Sequence, residues 1–270
     1  MFDLIWVKGP DSVSFLQGLV SQDVDAIPEG GVARSLLLGP DGKLAALLWL
    51  LRGDGEVGIL TDGGMGPEVI AMLSRFKIRV KAEITADERP VSVVLGADAE
   101  GLAEDKRWID DGGTMLASIP LPGIARVVLA GEHRPEVDMS AVRVEQGEPV
   151  MGVDVDNKTI PQETGLTDEA VSFTKGCYLG QELVARIDTR GHVNRRLRGV
   201  VVEGNSLPPH GASLMVADKE VGIITSPVFS ERLAAPIGLS LIRREVDAGQ
   251  IVEVRWDDGS ARAEVRDLPM

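Results

Sequence analysis

Lys175-Gly176-Cys177-Tyr178-Leu179-Gly180-Gln181-Glu182 contains the only cysteine of this 270-residue chain. A thiol reacts as its thiolate, and a cationic neighbour or a following helix N-terminus favours that form. Lys175 lies two residues before Cys177, and the residues after Gly180 read as a helix. Gln181 to Thr189 put Leu183, Val184 and Ile187 on one face, with Glu182 in the first turn, Arg190 in the last and Gly191 as the stop. The stretch therefore has the parts of a reactive centre, with Cys177 and Lys175 as its chemical pair. Each residue also has a plainer use. Free cysteines often pack as small hydrophobes, and lysines usually lie at the surface. Gly176 and Gly180 suit a tight turn and a close backbone approach. Gln181 and Glu182 suit the first turn of the helix, and Tyr178 suits a packed ring with its hydroxyl bonded.

Two further groups of side chains could meet a ligand. From Lys175 to Arg198 the chain carries six basic residues, Arg186 among them, and two acids, although its formal charge is −14. Such runs are commonly solvated faces; the other reading is a seat for an anionic ligand tail. Glu145 ends an expected helix and Glu163 could cap the next turn, though a carboxylate can also accept a pair of N–H donors in bidentate fashion. By position alone most glutamates belong to the surface.

Other chemistries lack the residues they need. His133, His192 and His210 are scattered without metal-ligand spacing, and one cysteine cannot build a structural zinc site, so no metal site is expected. No local signature makes Cys177 a protease nucleophile. Gly63-Gly64-Met65-Gly66 has neither the glycine spacing of a dinucleotide fold nor the lysine of a P-loop. The acidic balance argues against binding nucleic acid through bulk charge. The longest apolar run, Leu44 to Leu51, fits a buried strand and is too short for a bilayer. The N-terminus lacks a basic start and a small-residue cleavage site, and a lone cysteine suits a reducing compartment, so a cytoplasmic protein is expected.

The elements that must position these residues mix irregularly. Helices are expected at Pro10–Val20, Pro67–Phe76 and Met139–Gln146. Apolar strands are expected at Val32–Leu38, Lys43–Leu51 and Glu56–Thr61, the first two joined by the turn Gly39-Pro40-Asp41-Gly42, with shorter strands between residues 81 and 129. Beyond Arg198, short β runs separated by Pro and Gly turns read as a small barrel or sandwich. The expectation is an α+β fold with mixed, largely antiparallel sheets and a small C-terminal β-barrel. The boundary is placed at 1–195 and 196–270, with Arg190–Arg198 as linker.

The eight-residue stretch around Cys177 resembles the signature of the YgfZ family of folate-binding proteins. These are paralogues of the glycine-cleavage T protein and include mitochondrial iron–sulfur assembly factors. Gly9-Pro10-Asp11-Ser12, Gln22-Asp23-Val24, Gly39-Pro40-Asp41-Gly42-Lys43, Arg143-Val144-Glu145-Gln146-Gly147, Pro161-Gln162-Glu163 and Val221-Gly222 are similar to family landmarks in the same order. The resemblance covers nearly the whole chain. It implies a T-protein-like folate-binding fold and tetrahydrofolate, or a derivative, as ligand, in a pocket between the α+β domains. Glu145 and Glu163, with Asp154, would hold the pterin, and basic side chains such as Arg186 would meet the glutamate tail. Cys177 would face that pocket as nucleophile, redox thiol or transient cluster ligand. Iron–sulfur proteins or their assembly machinery are the implied partners, and a monomer the implied state. The alternative is an enzyme, a folate-dependent aminomethyltransferase or demethylase, for which Asp98 and Asp110 lie in the right third of the chain to supply a catalytic aspartate.

Overall fold

The computed structural model describes residues 2–191 and 193–270; His192, one of the histidines weighed above, lies outside the described residues. Residues 1–137 and 166–185 form one compact unit, and 138–165 with 186–270 form the other.

In the first unit, β1 (Phe2–Lys8), α1 (Ser12–Gln17), β2 (Val32–Leu38), β3 (Leu44–Arg52), β4 (Glu56–Asp62), α2 (Gly66–Arg75) and β5 (Glu83–Ala86) follow one another. The strands pair antiparallel in the order β2-β3-β4-β1-β5. A second sheet, β6-β9-β8-β7, is built from β6 (Val91–Leu95), β7 (Trp108–Asp110), β8 (Met115–Ser118) and β9 (Arg126–Ala130). Side chains alternate across a strand, and here both faces are covered. Leu48 and Leu50 of β3 share a core with Phe15 and Leu16 of α1 and Val69 and Leu73 of α2. Trp49 and Leu51 of the same strand pack with Met115, Ala117 and Val128 of the second sheet. Burial on both faces explains why these strands read as unbroken apolar runs.

β1 was not among the expected strands, yet it lies inside the sheet between β4 and β5, with Leu4, Ile5, Trp6 and Val7 all buried. The first helix is shorter than Pro10–Val20. It stops at Gly18, and Leu19 and Val20 reach the core from the turn that follows. The Gly39–Gly42 turn closes as expected, with Gly42 N–H donating to Gly39 O at 2.9 Å.

α3 (Ser140–Gln146) opens the second unit, α4 (Thr167–Ala170) belongs to the first, and α5 (Gln181–Arg190) follows the cysteine motif. The remaining strands are β10 (Arg195–Val202), β11 (Ser213–Val216), β12 (Lys219–Ile223), β13 (Val228–Ser230), β14 (Ala235–Arg243), β15 (Ile251–Trp256) and β16 (Gly259–Arg266). They form one sheet in the order β12-β11-β15-β16-β10-β14-β13. Thr225 N–H donates to Leu239 O at 2.9 Å, bringing the chain after β12 back to β14 and curling the sheet around Val200, Leu214, Val254 and Val265. The expected α+β fold with largely antiparallel sheets and a barrel-like C-terminal module is therefore the fold observed. The Arg190–Arg198 linker needs correction: β10 begins at Arg195, so Arg195, Arg196 and Arg198 are strand residues. No helix among the described residues is long and apolar enough to cross a membrane.

Candidate functional site

Burial alternates sharply along the cysteine motif. Lys175 and Tyr178 are buried, while Gly176 and Cys177 are exposed. Lys175 turns inward: its Nζ donates to Val20 O at 2.9 Å and Gln22 O at 2.7 Å, and lies 5.2 Å from the centre of the Tyr178 ring. Leu179 N–H donates to Gly18 O, and Ser172 N–H to Ser21 O. The segment is thus tied to the turn after α1 by backbone bonds and one ammonium group. Lys175 is not the surface lysine that its residue type suggests; it anchors the segment whose exposed sulfur faces solvent.

Burial draws the Lys175 pKa down to about 8, opposed by the fields of Asp23 and Asp25, and pushes the Tyr178 hydroxyl up to about 12. The lysine shift carries a testable sign. Between about 8 and the usual 10.5 the unfolded chain holds one more proton at this residue than the folded chain. Raising the pH through that window therefore favours folding. Below it both forms are charged, and the cost of burying the ammonium is constant. Across pH 8 to 10.5 the parent chain should gain about 2–3 kcal/mol of stability relative to Lys175→Met, measured by urea unfolding at each pH; parallel pH profiles would refute the assignment.

The two motif glycines differ. Gly180 has φ +78°, and a Cβ there would lie 2.6 Å from Gly39 O and 2.9 Å from Leu38 Cβ. Gly42 faces it from the β2–β3 turn, where a Cβ would lie 2.5 Å from Leu183 Cβ. The cysteine segment and that turn touch backbone to backbone, as expected for Gly180. Gly176 has no such reason: its φ is not left-handed, and a Cβ would meet nothing within 4 Å. Its expected packing role is corrected: nothing around it requires glycine. Gly180→Ala should cost about 2–4 kcal/mol from the left-handed backbone and the clash, and Gly176→Ala no more than about 0.5 kcal/mol, read from urea midpoints.

The carboxylates belong to the second unit, and all are buried and paired. Asp154 accepts from Arg143 Nη1 at 2.9 Å and Val150 N at 3.0 Å on one oxygen, and from the Thr225 and Ser226 hydroxyls at 2.6 Å each on the other. A carboxylate offers about four acceptor positions, so those of Asp154 are filled within the protein. Glu163 Oε1 accepts from Arg195 Nε at 3.0 Å, and Oε2 from Arg195 Nη2 at 3.2 Å and Ile160 N at 3.1 Å. A planar guanidinium thus gives Glu163 the same paired-donor contact that a pterin amide N–H and amino group would give. Glu145 accepts from the Ser230 hydroxyl on one oxygen and from Arg232 Nε at 2.8 Å on the other, leaving one acceptor position on each. Glu145 keeps room for a planar donor pair; Glu163 would accept one only after Arg195 gives way, and Asp154 only after losing partners of its own. Arg186 is exposed on α5.

A cavity of about 720 Å³ opens in the second unit between residues 152–159, the start of β10 and the strands β12 and β14. Its size suits an organic ligand. Asp154 lines it, and Arg195, which holds Glu163, stands in its wall. Glu163, Glu145, Arg186, Lys175 and Cys177 are not among its lining residues. Sequence reasoning missed Arg195, Arg232 and Arg143 as carboxylate partners, and Ser226 and Thr225 as hydroxyl donors. For Arg143 the signal was present, since it shares the quoted Arg-x-Glu-x-Gly segment, and Thr225 and Ser226 belong to the landmark that begins at Val221-Gly222; Arg195 and Arg232 are joined to their carboxylates only by the fold. The Asp110 considered for transferase chemistry is tied to Arg89 at 2.8 Å.

Residues 195–270 match the profile of the glycine-cleavage T-protein C-terminal barrel domain. The tRNA-modifying protein YgfZ of Serratia proteamaculans is 27% identical over 296 residues, covering 98% of this chain and 89% of that protein. Its namesake from Shigella boydii is 29% identical over 238 residues, covering 78% and 73%. Among solved structures, the glycine cleavage system aminomethyltransferase T of Bartonella henselae superposes with a TM-score of 0.90 at 19% identity, covering 99% of this chain and 83% of that one. This chain is thus similar to YgfZ proteins over nearly its whole length, with a T-protein-like fold and a C-terminal segment that matches the T-protein barrel domain.

Proposed function

We propose that this protein binds tetrahydrofolate and acts as an accessory factor in iron–sulfur cluster assembly or repair, through the thiol of Cys177. Its relatives are named as tRNA-modifying proteins, so tRNA modification is the process in which that service is expected to register. The observation that carries the reading is the construction of the Lys175–Glu182 segment. A buried lysine, two backbone ties and a glycine-to-glycine contact hold it, and all of them leave the sulfur exposed. Such investment in presenting one thiol fits a residue that meets something from outside.

On this reading Glu163 and Glu145 accept the paired donors of the pterin, with Arg195 yielding its place on Glu163, while Asp154 shapes the cavity wall and Arg186 meets the glutamate tail. Bound folate supplies a one-carbon carrier. Cys177 acts as nucleophile, redox thiol or passing ligand to a cluster; a single cysteine cannot retain a cluster alone. Titration calorimetry with tetrahydrofolate should give saturable binding at micromolar concentrations, and a flat titration would remove the folate reading.

The likeness in fold to an aminomethyltransferase favours a second reading, folate-dependent aminomethyl transfer or demethylation. Against it stand the Lys-Gly-Cys form of the motif and the Arg89 partner of Asp110. Transfer of an aminomethyl group from a lipoyl carrier to tetrahydrofolate by the purified protein would establish it.

A further inference from the structure

Residues 75–81 read Arg-Phe-Lys-Ile-Arg-Val-Lys: four cations at alternate positions and no acid, in a chain of formal charge −14. All four cations are exposed. The apolar residues between them are unusual too, because Phe76 is 38% and Ile78 78% exposed, while Val80 packs into the core. The segment is held at both ends. Phe76 and Lys77 N–H donate to Leu73 O and Ser74 O at the end of α2. Lys81 N–H donates to Asp11 Oδ2 at 2.7 Å, and its carbonyl accepts from Asp11 N–H. Between these ties Arg79 has φ +59°, a conformation that non-glycine residues rarely adopt. A fixed backbone therefore holds a ring, two guanidinium planes and two ammonium groups out to solvent.

We infer that this segment is a contact surface for RNA, and specifically for an unpaired loop. Unpaired bases stack on aromatic rings and guanidinium planes, and phosphates meet lysine; Phe76, Arg75 and Arg79 supply the first, and Lys77 and Lys81 the second. An anionic membrane is the poorer occupant. A flat charged surface would also face the acid-rich remainder of the chain, whereas an RNA loop need touch only these seven residues. The acidic balance that excludes binding through bulk charge is thus compatible with one local contact. The inference goes beyond the folate reading and does not depend on it.

The test is fluorescence anisotropy with an unmodified transfer RNA transcript and a single-stranded RNA oligonucleotide, at several salt concentrations. Neutralising four phosphates on single-stranded RNA should contribute about 2–3 units to the slope of log affinity against log salt. Arg75→Gln, Lys77→Gln, Arg79→Gln and Lys81→Gln together should remove that contribution. Lys77→Gln with Lys81→Gln, which leaves the Arg79 backbone alone, should remove about half. Phe76→Ala should weaken binding about ten-fold. Unchanged RNA affinity in the fourfold variant would overturn the inference, and so would absence of RNA binding, or binding of phosphatidylglycerol vesicles in place of RNA. Tetrahydrofolate titration of the same variants separates this result from the folate reading, because these substitutions should leave folate affinity unaltered.

Discussion

Cells carrying Cys177→Ala as their only copy are expected to show iron–sulfur enzyme activities no higher than cells lacking the protein, while the purified variant unfolds at the parent's urea midpoint. The two halves of this result follow from one observation. The sulfur is exposed, so its removal deletes little packing, and exposed substitutions typically change stability by no more than about 0.5 kcal/mol. The residues that hold the segment, Lys175, Gly180 and Leu179, remain in place. Loss of function without loss of stability would therefore assign the role to the sulfur itself. Cys177→Ser sharpens the test, since a hydroxyl has nearly the same size but cannot form a thiolate near neutral pH; it should fail with alanine. Lys175→Met should behave differently, lowering function partly and changing the pH dependence of stability. Full rescue by Cys177→Ala would end the thiol mechanism, and the family likeness would then stand without chemistry.

The cysteine motif was legible because it is a local string of rare residues. Its burial pattern was not. A lysine in sequence points to the surface, and nothing local reveals that two carbonyls beyond α1, at Val20 and Gln22, wait for the ammonium of Lys175. Gly180 could be assigned a close approach because glycine has few other uses beside a helix start. The same logic failed for Gly176, where an added Cβ would meet nothing within 4 Å. The strands with long apolar runs, β3 above all, were easily read. β16 was not, because along Gly259–Arg266 only Ala263 and Val265 are buried, between charged and small residues. The carboxylate partners were the least accessible. Glu163 meets Arg195 across 32 residues and Glu145 meets Arg232 across 87, separations that composition and periodicity do not encode.

Those pairs lead to the second large effect. Asp154→Ala is expected to lower stability by about 3–5 kcal/mol, measured by urea unfolding. The Asp154 carboxylate has 0% exposure and its partner Arg143 only 20%. Truncation leaves a largely buried cation without its counter-charge and takes the acceptor from the Val150 N–H and the Ser226 hydroxyl, while the Thr225 hydroxyl keeps Leu239 O. Glu163→Gln should give the opposite profile. Its partner Arg195 is 41% exposed and can turn to water, so the fold should lose about 1 kcal/mol. Tetrahydrofolate should nevertheless bind about 10–100-fold more weakly, because a neutral amide cannot accept two donors as a carboxylate does. The comparison decides what these buried acids are for. If Glu163→Gln leaves folate affinity intact while destabilising the second unit as strongly as Asp154→Ala, then Arg195 is the true and permanent partner of Glu163. The pterin would then have to be held by other groups, with Glu145 the next to substitute, since it keeps one acceptor position open on each oxygen.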